Sequence, residues 1–366
     1  MADNTNPARI RLPAMGTPGN REYPPENRER RPPTQAKWTA PMNARATLVL
    51  ANHRPETIPA AQRLMVRHDK VIFEEPPDPQ FLSMLNGQVP IDAYLETQDL
   101  EYPEFSRRMA DVLRDCHRAG TRLYQIEPFI GHLLAIHERF AGGDGPSNLT
   151  TGTAQYRVYL AEREATAALI DFYSVSTTGA FGATIEAVKR FARSDAQRFA
   201  LRDRMRAAAM ADVVTAPGRT YIEAGLIHFP LWHELRRRLP AGYPLRVHFL
   251  MADAVRSMGY RSHLYGPGDL LTLHYRFHPQ RRFQEEDLLA ARALIYSKLI
   301  AKEEMMDAGE PYPHTRDELE VGAMTARLTL TDCRRLYPPI RRASTTTARE
   351  MVRHYLGLLG NQADHP

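Results

Sequence analysis

The chain has 366 residues, 43% of them hydrophobic and 25% charged, with a net charge of +5. No run approaches the ~20 apolar residues that cross a bilayer, and two cysteines, Cys116 and Cys333, exclude a disulfide framework or a CxxC metal pair. The arginine excess carries no aromatic or groove-reading motif, so it reads as solvated surface rather than a nucleic-acid face.

Residues 1–42 are rich in Pro, Arg, Asn and Glu and poor in large aliphatics. Such a segment cannot bury enough apolar surface to offset its ordering entropy, which predicts a disordered or surface-draped arm. It contains no apolar stretch of the kind a secretory signal needs, so a cytoplasmic protein is expected.

Residues 43–366 read as a single α/β domain. TLVLAN, from residue 47, is a continuous apolar run, as expected for a strand covered on both faces. Pro55 suits the first turn of a helix to about residue 66. KVIFE, 70–74, is a second strand stopped by EEPPDP. A short helix at 78–85, an irregular stretch at 88–103 and an amphipathic helix at 104–119 follow, the last closed by Gly120. RLYQI, 122–126, is the third strand, and 129–140 a helix. A helical insertion covers about 150–214, with long helices at 154–174 and 180–214. Strand 220–224 leads into a turn and helix carrying GLIH, and 245–251 is the last strand. Residues 259–280 read as loops and short strands with GPGD as a turn. C-terminal helices cover about 283–360: 285–307, 316–336 and 346–359. Strands alternating with helices predict a mostly parallel sheet with helices on both faces.

Right-handed crossovers put the C-terminal ends of parallel strands on one rim, where ligands bind. Asn52, His53 and Glu56 follow the first strand, Glu74 and Glu75 the second, Glu127 the third, and Gly225 and His228 the fourth. Two histidines with several carboxylates suit a divalent metal with open positions for water. They equally suit metal-free hydrolysis with a histidine general base. Alternation along the strand end favours Glu74 over Glu75. Gly225 is expected to allow a sharp turn, placing His228 in the first turn of a helix, where an oxyanion is favoured. A histidine there also serves as a plain polar cap.

Other candidates have simpler readings. His132 and His137, like His228 and His233, are five apart and do not stack on one helical face. His274 and His278 are four apart but in a strand-like or loop context. No GxSxG, GxGxxG or phosphate-binding loop occurs. The clusters HRPE, RDRMR and PHTRDE read as exposed charge, and Cys116 as a small core residue.

These residues resemble the TraB/ChaN/erythromycin-esterase-like superfamily, which includes the Tiki metalloproteases. GLIH at 225–228 matches its second Gly-x-x-His, KVIFEE its glutamate strand, and RAAAM, Arg206 to Met210, its Arg-x-x-x-Met helix. LANH matches the first Gly-x-x-His only at His53; Leu50 stands in place of the glycine and Ala51 in place of the glutamate that ChaN-like members carry. The resemblance covers roughly residues 45–255. It implies a central sheet between helices and a rim site of two histidines and a glutamate.

The expectation is therefore a hydrolase of amide or ester bonds, metal-assisted, acting on a small molecule or peptide. His53, Glu74 and His228 would hold a divalent ion (Mn, Zn, Fe or Co), with His228 also catalytic. Glu127 or Glu56 would act as acid/base partner, and Arg206 would neutralise an anionic group. Without a metal, His53 or His228 would be the general base. The alternatives are a non-enzymatic protein binding haem or a peptide, haem being implied by one branch of the resembling family, and a tailoring enzyme of a biosynthetic cluster. Neither nucleic acid nor membrane is an expected partner, and a homodimer is compatible with the sequence.

Overall fold

The computed structural model describes residues 45–363 apart from 97, 99, 261–264, 282, 307, 308 and 310. The expected arm, 1–42, lies outside them. Five strands form one sheet: β1 (Arg45–Leu50), β2 (Lys70–Phe73), β3 (Arg122–Gln125), β4 (Arg219–Ala224) and β5 (Leu245–Phe249). Their order is β3-β2-β4-β1-β5 and every pairing is parallel. The fold is α/β, as the alternation of apolar runs and helices predicts.

The helices are α1 (Ile58–Met65), α2 (Phe81–Leu85), α3 (Ile91–Leu95), α4 (Pro103–Arg118), α5 (Pro128–Ala141), α6 (Ala154–Thr178) and α7 (Phe181–Thr215). After β4 come α8 (Leu231–Arg238), α9 (Ala252–Ser257), α10 (Pro267–Phe277), α11 (Glu286–Leu299), α12 (Pro313–Ala326), α13 (Leu330–Ile340) and α14 (Thr345–Ala363). Among the described residues no helix is long and apolar enough to cross a membrane.

Four stretches differ from the sequence expectation. The helix expected at 316–336 is two, broken after Ala326, with Thr329 capping α13 by accepting the Asp332 N–H. The segment 88–103 holds α3. The stretch 259–280 contains α10 rather than strands: Gly266 caps it, Pro267 is its first residue, and Asp269 accepts the Gly266 N–H at 2.9 Å. The helix expected at 285–307 ends at Leu299, where the chain turns extended at Ile300; residue 307 lies outside the described set.

Each sheet face is covered. On one, Val49, Val71, Phe73 and Tyr221 pack with Ile58 and Met65 of α1 and Met109 and Leu113 of α4. On the other, Leu48, Leu50, Ile72 and Ile222 pack with Met210 and Val214 of α7 and Leu231 and Leu235 of α8. Leu48, Leu50 and Ile72 are fully shielded, and each such side chain contributes roughly 1.5–3 kcal/mol of burial energy.

The covering helices show how the chain leaves the sheet. The crossover from β1 places α1 on the first face, and that from β4 places α8 on the second. β1 and β4 are neighbours, in register from Arg45↔Arg219 to Leu50↔Ala224. Adjacent strands whose connections part to opposite faces leave a crevice at their C-terminal ends, where open α/β sheets bind ligands.

α7 runs roughly 50 Å at 1.5 Å per residue. Its last turn is pinned below the sheet: Lys70 Nζ donates to Val213 O at 2.6 Å and Ala216 O at 2.7 Å, and Tyr243 Oη to Val214 O at 2.7 Å. These donors satisfy carbonyls that a helix end leaves open. From there α7 climbs past the rim. Its far half packs Ile185, Val188 and Ala192 with α10 to α14 in a second core.

Candidate active site

Gly225 follows β4 in extended conformation, φ −59° and ψ 153°. Such angles suit any residue, so the turn does not need a glycine there. A Cβ at Gly225 would meet His228 Cδ2 at 3.7 Å and Glu74 Oε2 at 3.9 Å, ordinary contacts. What this position supplies is its N–H, which donates to Glu74 Oε2 at 2.8 Å. His228 then ends a short 3-10 turn, Leu226–His228, closed by its own N–H on Gly225 O at 2.9 Å. It is not in the first turn of α8, which starts at Leu231, so the helix N-terminus does not shape its surroundings. The turn points the imidazole inward: it is 3% exposed and lies edge-on to the Phe199 ring, 5.0 Å between centroids.

Around His228 lies a buried network of charge. Its Nδ1 is 2.6 Å from Asp203 Oδ1, and its Nε2 is 3.1 Å from Glu74 Oε1. Arg202 Nη2 approaches the same Glu74 oxygen at 3.0 Å, and its Nε donates to Glu127 Oε2 at 2.9 Å. Arg206 Nη1 lies 3.5 Å from Glu74 Oε2. Burial alone would push the Glu74 carboxyl up; His228, Arg206 and Arg202 outweigh it and hold the group well below the usual carboxylate range.

Two expected catalytic residues belong to this scaffold. Arg206 is fully buried and donates to Ile126 O at 3.1 Å and Glu223 O at 2.6 Å, tying the ends of β3 and β4 together. Glu127, also fully buried, caps α5 by accepting the Phe129 N–H at 3.2 Å. Both oxygens of Glu127 are thus spoken for, by Phe129 and by Arg202.

His53 stands apart from the network. Its side chain is 38% exposed and its ring stacks on Phe105 at 5.2 Å. Its Nε2 lies 3.7 Å from Glu223 Oε1 on β4. Burial, reinforced by Glu74, raises the Glu223 carboxyl against the pull of His53 and Arg206. Glu223 therefore holds a proton more readily than an ordinary glutamate.

The expected metal triad is not assembled. Among the described residues, which include His53, Glu74 and His228, no group of three His, Cys, Asp or Glu side chains is placed to hold a metal ion. The donor chemistry agrees. Glu74 already faces two guanidiniums and an amide, and a cation added there would meet their repulsion. Both nitrogens of His228 face carboxylates already.

Four polar atoms in this region are buried and make no hydrogen bond: His53 Nε2, Glu74 Oε1, Asp203 Oδ2 and Arg206 Nη1. Glu74 Oε1 has charged neighbours but none aligned to donate. Buried polar atoms are nearly always satisfied, and each exception costs roughly 1–3 kcal/mol.

The remaining rim candidates have other partners. Glu75 is exposed at the rim, with Gln125 Nε2 at 3.4 Å; burial of its carboxyl and the nearby Glu223 push that group up, against Gln125 and His53. Glu56 caps α12, accepting from His314 N at 2.9 Å and Thr315 N at 2.8 Å. Asn52 donates to Glu318 Oε1 and Oε2 at 3.1 and 3.0 Å. His132 and His137 lie on α5, and His274 lies on α10 with His278 as its C-cap.

Asp203, Arg202, Glu223 and Glu318 were not singled out by sequence. A signal for Asp203 existed. Ile185, Val188, Ala192, Ala196, Phe199, Asp203, Arg206, Met210 and Val214 recur every three or four residues along α7. Asp203 and Arg206 occupy core positions of that stripe, where an ionised side chain needs buried partners.

No known family profile matches this chain, and no solved structure matches it. It is similar to an uncharacterized protein of Archaeoglobus fulgidus, 27% identical over 294 residues, covering 79% of this chain and 97% of the archaeal one.

Proposed function

We propose that this chain is a hydrolase of ester or amide bonds that works without a metal ion at the β1–β4 crevice. The observation that carries the reading is the set of buried atoms that make no hydrogen bond, His53 Nε2, Glu74 Oε1, Asp203 Oδ2 and Arg206 Nη1, of which all but Asp203 Oδ2 have only ion-pair contacts. Such atoms are satisfied when a polar substrate group or water enters.

His53 is the general base: its Nε2 is shielded and makes no hydrogen bond, with Glu223 Oε1 3.7 Å away, while the rest of its side chain reaches solvent. Glu223 orients that ring and, carrying a proton readily, returns one to the leaving group. Asp203 fixes His228 through Nδ1, and His228 with Glu74 forms the polar floor on which the reacting group rests. Arg202 and Arg206 balance the floor's charge. The substrate is a small molecule or peptide and the protein is cytoplasmic, where the buried thiols of Cys116 and Cys333 stay reduced. Kinship with the TraB/ChaN/erythromycin-esterase-like superfamily is part of the same reading, supported by the meeting of the GLIH histidine and the KVIFEE glutamate at 3.1 Å.

The test is turnover of chromogenic esters and anilides. His53→Ala should lower kcat by roughly 10²–10⁴-fold, the usual contribution of a positioned proton-transfer group. His228→Ala should abolish turnover, and EDTA should leave the wild type unchanged. Full activity in folded His228→Ala overturns the site. Activity lost to EDTA and restored by a divalent ion overturns the metal-free mechanism.

A further inference from the structure

We infer that a cavity between α10, α11 and α12 binds a small organic ammonium ion, held by Glu318 against a wall of Tyr260, Tyr265 and Tyr296. The cavity measures about 430 Å³, within the range of small-ligand sites, and Leu270 and Leu289 complete much of its apolar lining. An apolar body carrying one positive charge fits that combination. Aromatic faces attract a cation, and a desolvated carboxylate pairs with it strongly.

The carboxylate lacks a full set of partners. Asn52 Nδ2 is shared between its two oxygens at 3.1 and 3.0 Å, whereas a carboxylate has about four acceptor positions. The nearest fixed cation is Arg54, with Nη2 3.9 Å from Glu318 Oε1 and its guanidinium 4.1 Å over the Tyr102 ring. Arg292 also lines the cavity, its Nε bound to Leu328 O at 2.9 Å. Against these stand Glu318 itself, with Glu56 and Asp269 adding negative charge nearby. Burial pushes the Glu318 carboxyl up to about 7 against Arg54 and Asn52, with smaller upward pushes from Glu56 and Asp269. A bound cation draws that proton off, so binding strengthens as pH rises through 7.

The cavity wall is tied to both halves of the candidate active site. Asn52, which holds Glu318, precedes His53 in the β1 loop. Tyr265 Oη donates to Leu226 O at 3.1 Å, in the turn that carries His228. Binding can nevertheless be measured without turnover, so failure here and failure of the hydrolase reading are distinguishable.

Titration calorimetry of the full chain with choline, and with its neutral isostere 3,3-dimethylbutan-1-ol, tests the site. Choline should bind at least tenfold more tightly than the isostere. Its affinity should fall about tenfold for each pH unit below 7. Glu318→Gln should weaken it at least tenfold and flatten that dependence. Tyr260→Leu should weaken it roughly two- to thirtyfold, the span of cation–π energies, and serves if Glu318→Gln does not fold. Equal binding of the two probes, no binding of choline, or undiminished binding by folded Glu318→Gln overturns the assignment.

Discussion

Replacing Glu318 by glutamine isolates the cost of a buried carboxylate. Its side chain is 10% exposed, and its carboxyl is pushed up to about 7 from the 4.5 of a free glutamate, chiefly by burial. The folded protein therefore holds this proton more tightly than the unfolded chain. The stability it gains is complete below pH 4.5 and is lost as pH rises through 7. At 1.36 kcal/mol per pH unit, the gap between 4.5 and 7 amounts to about 3 kcal/mol. Glutamine keeps the side-chain length and an oxygen to accept from Asn52, and it carries no charge at any pH. Urea denaturation of both proteins from pH 4.5 to 8 should show the variant's stability rising relative to wild type by about 3 kcal/mol across that window. A flat Glu318→Gln difference refutes the reasoning, because a carboxyl that titrates normally in the fold produces no slope there.

Other substitutions separate scaffold from surface. His228→Ala leaves Asp203 and Glu74 facing each other without the imidazole and should cost about 3–5 kcal/mol, whereas His53→Ala should cost under about 1 kcal/mol; urea denaturation at pH 7 distinguishes them. Gly225→Ala should change stability by less than about 1 kcal/mol, since φ is −59° and a Cβ meets nothing closer than 3.7 Å; a loss of several kcal/mol would mean the backbone turn depends on glycine after all. Arg206→Met strands Ile126 O, Glu223 O and the Glu74 carboxylate, and should cost about 3–5 kcal/mol, read in the same assay.

The sheet was legible because strands covered on both faces leave a plain trace: TLVL, KVIF and TYIEA are apolar runs with few alternatives. Strand order was not, since nothing in those runs tells β4 to insert between β2 and β1. GPGD misled because the same four residues make a turn or open a helix, and the Asp269 cap decides for the helix. The clusters HRPE, RDRMR and PHTRDE failed for one shared reason. Charge was read as exposure, yet Glu56 caps α12, Asp203 and Arg206 line the interior, and Glu318 meets Asn52. Opposite charges from segments far apart in sequence satisfy one another, and composition within a single segment cannot reveal that. Glu74 and His228 were found because both follow strands directly, where topology alone fixes position.

The two histidine loops invite comparison as copies of one device, and their backbones show that they are not. β4 gives way at Gly225 to a tight 3-10 turn that buries His228. β1 does not turn at the matching point. Leu50 is fully buried in the core below the rim, and Ala51 N–H extends the ladder by donating to Ala224 O at 3.1 Å. A glycine at position 50 would remove a core side chain without creating the second turn, so the leucine there is a packing residue. Because β1 runs on, the His53 side chain stays 38% exposed with its Nε2 turned in toward Glu223, while His228 is locked between Asp203 and Glu74. Acid–base work requires a group that exchanges protons with its surroundings, held against one that fixes charge. In the proposed mechanism His53 takes the first role and His228 the second, and the asymmetry of the two strand ends accounts for that division.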